Sequence, residues 1–237
     1  MTLKTAKSLS LLALVFLIAG CATPKHAVPK AQENRVYAAA AEINASPEPS
    51  AREISDDEAV ARVSALYNRL KPAAVDVCRY GAEHHCRVEL TYSPEEEVNA
   101  YATDSSTIVI YKGIVQYARN DAEIAMVIAH EMSHHIADHI RESRNNQTMG
   151  ALIGGVAMAA LLGATDSYYP DAVQVGMMVG AMAGALTFSR KQEMEADYLA
   201  AYIISKSGFD LDDGRDILIK LGRISGYTRS TVRDTHP

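Results

Sequence analysis

The run His130-Glu131-Met132-Ser133-His134 sets two imidazoles four residues apart, with a carboxylate directly after the first. On a helix, residues i and i+4 share one face, so both rings can bind one metal ion while Glu131 stands beside it. Zinc held by two His needs a third protein ligand and an open position at which water is activated near neutral pH. Glu131 would take a proton from that water and return it to a leaving amine, acting as general base and then general acid in peptide hydrolysis.

Five residues do not define a site alone, and a second element lies downstream in Ser189-Arg190-Lys191-Gln192-Glu193-Met194-Glu195-Ala196-Asp197. Ser189 and Gln192 form a helix-start box, and Glu193 and Asp197 fall on one helical face. Glu193 is the expected third ligand. Asp197, one turn on, is placed to accept a hydrogen bond from the outer N–H of a liganding His and so to fix its tautomer. Glu195 is expected to point elsewhere. Two His and one carboxylate with an open position favour one zinc ion per chain, although iron(II) shares that donor set. His135 and His139 stand at offsets of five and nine from His130 and fit the metal face less well than His134. They are expected to be satisfied or solvated side chains, as are His26, His84 and His85.

Elements that could hold these side chains can be read nearby. Asn120 can cap a helix with Glu123 at its third position, and Ile124 to Ala129 is apolar on every side, which predicts a buried helix carrying the paired histidines. Before it, Arg87 to Tyr92 alternates, Val98 to Ala102 is short and mixed, and Thr107 to Tyr111 is β-branched, which predicts a small antiparallel meander. Ser55-Asp56-Asp57-Glu58 caps a helix with apolar Ala59, Val63, Leu66, Tyr67 and Leu70 before Pro72. Met149 to Thr165 and Ala172 to Ser189 are uncharged and rich in Gly, Ala and Met, which reads as a helical hairpin. Three roles are open for it: a lid or partner surface beside the site, membrane contact favoured by the repeat of Gly176, Gly180 and Gly184, or plain core.

The chain has 237 residues, 48% hydrophobic and 22% charged, with a formal charge of −6 and no Trp. An acidic balance without a Lys/Arg run excludes nucleic acid as the expected partner. Lys4 and Lys7 precede an apolar run from Leu9 to Gly20, too short for a membrane span, so residues 1–20 are expected to be a secretory signal. Leu17-Ile18-Ala19-Gly20-Cys21 resembles the bacterial lipobox, which implies lipidation of Cys21, for example with palmitate; Ala22 after it matches lipoproteins sent to the outer membrane. Residues 21–50 are poor in large apolar side chains and are expected to be a flexible, lipid-anchored tether, with the peptidase domain over residues 51–237. Cys78 and Cys86, an even pair in an exported protein, are most simply a disulfide, and a zinc site with His84 and His85 is the other arrangement.

With H-E-x-x-H on a buried helix and E-x-x-A-D downstream, the chain resembles the HtpX and CAAX-prenyl-protease type of zinc metallopeptidase over roughly residues 95–237. Within that type it resembles the bacterial periplasmic lipoprotein branch that includes LoiP and BepA. Asn99-Ala100-Tyr101, Lys112-Gly113, Ser207-Gly208-Phe209-Asp210 and Asp234-Thr235-His236-Pro237 support the likeness. The resemblance implies an α+β, gluzincin-like fold: a small antiparallel sheet beside the buried helix, plus the Ala/Gly-rich hairpin. It implies that substrate adds as a strand to an edge formed by Thr107, Ile108, Val109, Ile110 and Tyr111. His236 matches a His that acts as a regulatory plug or as an electrophile, and relatives carry an Arg a few residues beyond the T-H-P element, whereas Pro237 is the last residue here. The function so implied is zinc-dependent endoproteolysis of unfolded or extended envelope proteins, in quality control at the periplasmic face of the outer membrane. An assembly factor for outer-membrane proteins, working with their assembly machinery and carrying a latent or plugged zinc site, is the alternative.

Overall fold

The structure is a computed structural model that describes residues 26–30, 32–78, 86–103, 106–165, 169–185 and 188–225. Its described elements are α1 (Glu33–Ala45), α2 (Asp56–Cys78), β1 (Glu89–Ser93), β2 (Ala100–Ala102), β3 (Thr107–Tyr111), α3 (Lys112–Tyr117), α4 (Asp121–Ile136), α5 (His139–Thr165), α6 (Pro170–Ala185), α7 (Arg190–Lys206) and α8 (Leu211–Ile224).

The paired histidines lie on α4, which is buried at every position from Ala122 to Ile136. A helix apolar on all sides is stable only inside a protein, and α2, α7 and α8 pack around this one. Asn120 caps it, its side-chain oxygen accepting from the Glu123 backbone N–H at 2.9 Å. Ile124, Ile128, Ile203, Ile204 and Ile217 are wholly buried in the shared core, each contributing roughly 1.5–3 kcal/mol of apolar burial. Within that core Glu123 pairs with Lys220 at 2.5 Å and also accepts from the Arg119 N–H, so its charge is buried with partners.

The sheet corrects two expectations. It is mixed rather than an antiparallel meander, with strand order β1-β3-β2. β1 pairs parallel to β3, Glu89 opposite Thr107 through Ser93 opposite Tyr111, and β2 pairs antiparallel on the other side, Ala100 opposite Ile110. Thr107, Ile108, Val109, Ile110 and Tyr111 therefore form the central strand, not an edge open to substrate. The physical reason lies in β3 itself: Ile108, Val109 and Ile110 are all buried, and a continuous β-branched run gains most where both faces are covered.

α2 also runs farther than expected, passing through Pro72 to Cys78. A proline inside a helix removes one hydrogen bond, and here its neighbours Leu70, Ala73 and Ala74 are buried against the core. Cys78 and Cys86 form the expected disulfide, with Cα atoms 5.4 Å apart; His84 and His85 lie outside the described residues.

The stretch expected to be an unstructured tether contains α1. None of its described side chains is buried, but Arg215 of α8 donates two hydrogen bonds to Glu42, at 2.9 and 2.8 Å, and Arg223 pairs with Glu48. Polar contacts thus order a segment that has little apolar surface to bury. Cys21 lies outside the described residues.

α5 and α6 form the expected hairpin, and α5 begins ten residues earlier than the uncharged run, at His139. A Cβ on Gly154 would overlap the carbonyl of Gly176, and one on Gly180 that of Gly150, so glycine is what lets the two backbones approach this closely. The pair is not plain core: Met149, Leu152, Val156, Met178, Val179 and Met182 are exposed. By length and composition α5 could cross a membrane over His139–Ala164.

Candidate metal centre

α4 and α7 bring the cluster together. α7 starts at a capping box in which Ser189 accepts from the Gln192 N–H and the Gln192 side chain accepts from the Ser189 N–H. Gln192 also donates to Glu142 at 2.9 Å, tying the start of α7 to α5. Glu193, in the first turn, faces the two histidines.

His130 Nε2 and His134 Nε2 lie 3.1 Å apart. Glu193 Oε2 is 3.4 Å from His130 Nε2, and Glu193 Oε1 is 3.8 Å from His134 Nε2. A tetrahedral zinc with bonds of about 2.0–2.1 Å holds its donor atoms roughly 3.4 Å apart, so the triangle fits such an ion. The two rings point nitrogen lone pairs at one spot, which is favourable only when a cation or a proton sits between them. Both rings are buried, and the Glu193 side chain is 21% exposed.

Asp197 Oδ1 lies 2.8 Å from His130 Nδ1. The carboxylate can only accept, so His130 carries a proton on Nδ1, and with a metal bound its Nε2 lone pair would be the one facing the cluster. Burial works against a charged His130 ring, but hydrogen bonds to Asp197 and Glu193, with the charges of Asp197 and Glu131, raise its pKa well above the usual histidine value. The carboxylates around His130 thus favour a positive charge on that ring. Glu131 is buried next to His130, 2% exposed.

Four further side chains belong to the site although helical spacing does not point to them. The Phe188 ring stacks on His134, with centroids 3.8 Å apart. His139 Nδ1 is 3.1 Å from His134 Nδ1, and its Nε2 is 3.3 Å from Glu195 Oε2. Glu195, expected to point elsewhere, is fully buried and accepts from His26 through both the backbone N–H, at 2.7 Å, and the ring. His135 is a satisfied side chain, as expected, its Nε2 3.3 Å from the Thr107 carbonyl. His236 lies outside the described residues. A cavity of about 390 Å³ among α1, α3 and α8, lined by Glu42, Tyr117 and Lys220 among others, shares no residue with the cluster.

A His/His/Glu set presented by two packed helices, with a buried carboxylate beside it, is the donor arrangement of a metal-dependent hydrolase. The pattern of peptidase family M48 matches residues 66–237, and the chain belongs to that family. The chain is 31% identical over 143 residues to the mitochondrial metalloendopeptidase OMA1 of Arabidopsis thaliana, a match covering 60% of this chain and 27% of that protein. It is 30% identical over 146 residues to the beta-barrel assembly-enhancing protease of Yersinia pestis, covering 60% and 30%. Against the protein of that name from Escherichia coli K12 it is 28% identical over 117 residues, covering 48% and 24%. The matched stretch thus spans less than a third of each of these relatives.

Proposed function

We propose that this chain is a zinc-dependent endopeptidase that hydrolyses peptide bonds of extended or misfolded cell-envelope proteins. In this reading His130, His134 and Glu193 are the ligands and Glu131 is the general base and acid. The supporting observation is the convergence of both Nε2 atoms and the Glu193 carboxylate, all within 4.8 Å of one another, beside buried Glu131. Zinc in this site would supply a Lewis acid that polarises the scissile carbonyl and brings a water's pKa down to about 7.

The protein's own groups do the rest. Glu131 accepts a proton from the attacking water and delivers it to the amine nitrogen as the C–N bond breaks. Asp197 holds His130 in the tautomer that leaves Nε2 free to ligate. Edge strand β2 lies against α4, and an extended substrate segment can pair with it through main-chain hydrogen bonds. Such pairing selects unfolded or extended chain over compact protein.

The envelope location rests on the N-terminal sequence, with Cys21 as lipid anchor to the outer membrane, and on the likeness to beta-barrel assembly-enhancing proteases. The name of the Arabidopsis relative puts that protein in mitochondria, so the domain is not tied to one compartment. The exposed apolar side chains of α5 and α6 favour a second role, capture of outer-membrane proteins during assembly, with the metal site latent or plugged by His236.

Cleavage of an unfolded protein by the purified chain with added zinc, beside Glu131→Gln and a chelator-treated sample, separates the two. Cleavage lost in both controls establishes the peptidase. Zinc bound without cleavage in any sample favours the assembly role.

A further inference from the structure

Behind His134 runs a chain of polar contacts that leaves the metal cluster and ends on the N-terminal segment. His134 Nδ1 lies 3.1 Å from His139 Nδ1, His139 Nε2 lies 3.3 Å from Glu195 Oε2, and Glu195 Oε1 lies 2.6 Å from His26 Nδ1. His134 and Glu195 are wholly buried, and His139 is 1% exposed. Phe188 covers the His134 ring and tilts against that of His139, with centroids 5.9 Å apart.

The direction of the hydrogen bonds follows from which atoms can donate. A carboxylate only accepts, so His139 carries a proton on the Nε2 facing Glu195. With that proton in place a neutral His139 ring offers its Nδ1 lone pair to His134, whose Nδ1 must then donate. His134 is left with its lone pair on Nε2, the atom that faces His130 Nε2. Reversing the first bond reverses every other and puts a hydrogen on His134 Nε2, where it would block a ligand atom. A wholly buried carboxylate is costly unless hydrogen-bonded, and the His26 backbone N–H, at 2.7 Å, with the two imidazoles supplies those donors.

The geometry points to His139 and Glu195 as positioning residues that hold His134 in its Nδ1–H tautomer, with His26 fixing Glu195 from outside the helical core. This rests on the reading of His130, His134 and Glu193 as a metal site. It parallels the role of Asp197 toward His130, but reaches His134 through a second imidazole, so each ring has its own carboxylate-terminated support.

The test is the zinc dissociation constant of the purified chain by competition with a chromophoric chelator, with long-range proton–nitrogen NMR reading the His134 tautomer. His139→Leu, which removes the acceptor, is expected to weaken zinc binding about 10–100-fold. His139→Asn, whose side-chain oxygen can stand near the lost Nδ1, is expected to recover most of that loss. Glu195→Gln is expected to weaken binding less than His139→Leu, and His26→Ala, at the partly exposed end, by a few-fold. Should His139→Leu not fold, Glu195→Gln and His26→Ala carry the comparison. Variants that bind zinc as tightly as wild type, with His134 still protonated on Nδ1, overturn the inference alone. A wild-type chain that binds no zinc overturns the metal reading with it.

Discussion

His130 Nδ1 and Asp197 Oδ1 stand 2.8 Å apart although 67 residues separate them, and this contact joins the two helices that carry the proposed ligands. Asp197→Ala should therefore act on the metal rather than on the fold. Its side chain is 48% exposed, so little stability is lost, while zinc affinity is expected to fall about 10–100-fold. Chelator competition measures the first quantity and thermal unfolding the second. A variant that loses stability but keeps its zinc affinity would make Asp197 a plain structural contact.

Metal binding should also stabilise the fold, because His130 and His134 lie on α4 and Glu193 on α7. A ligand bound only by the native state, at a hundred times its dissociation constant, contributes about 2.7 kcal/mol, which for a chain of this size is a rise of about 5–10 °C in Tm. Calorimetry with zinc and then with chelator is expected to show that rise and its reversal. Glu193→Ala should abolish most of it. An unchanged Tm in the wild-type chain counts against a metal that bridges α4 and α7.

These two helices were legible in the sequence because their signals are local. Asn120 caps α4 and Ser189 with Gln192 starts α7 where the pattern puts them, and helical spacing brings Glu193 and Asp197 to one face. The sheet order was not legible, since alternation reports a strand's faces and not its neighbours; only the unbroken burial of Ile108, Val109 and Ile110 betrays a central strand. The contact of His26 with Glu195 spans 169 residues and has no local signature at all.

Tyr92, on β1, gives a separate signature, in pH. Burial, then its hydrogen bond and charge interaction with Asp56, push its pKa up to about 12 from an ordinary value of about 10. The Tyr92 hydroxyl donates to Asp56 at 3.1 Å, and Lys112 pairs with the same carboxylate, so the contact joins β1 and α3 to the start of α2. The folded state holds the proton more tightly than the unfolded chain, so the stability it contributes is present below about pH 10 and lost as pH rises toward about 12. Tm should fall more steeply across that window in wild type than in Tyr92→Phe. Parallel curves would mean that Tyr92 ionises alike in both states.

Asp138 decides where His139 goes. α4 ends at Ile136, Asp138 takes a left-handed backbone with φ of +66°, and α5 then starts at His139. Had α4 continued, a residue five places after His134 would point well away from it; the break returns His139 to within 3.1 Å of that ring. The cost of the left-handed conformation is lowest for Gly, Asn and Asp, and the Asp138 side chain is further held by Arg141, whose Nε donates to it at 2.7 Å. Asp138→Asn is expected to stay within about 1 kcal/mol of wild type, whereas Asp138→Val should lose about 1–3 kcal/mol because a β-branched residue resists positive φ. The same Val variant should bind zinc more weakly, since relaxing the turn swings His139 away from His134. Denaturant unfolding and a zinc titration on both variants read the two effects. If Val is tolerated as well as Asn in both, the turn does not set the position of His139.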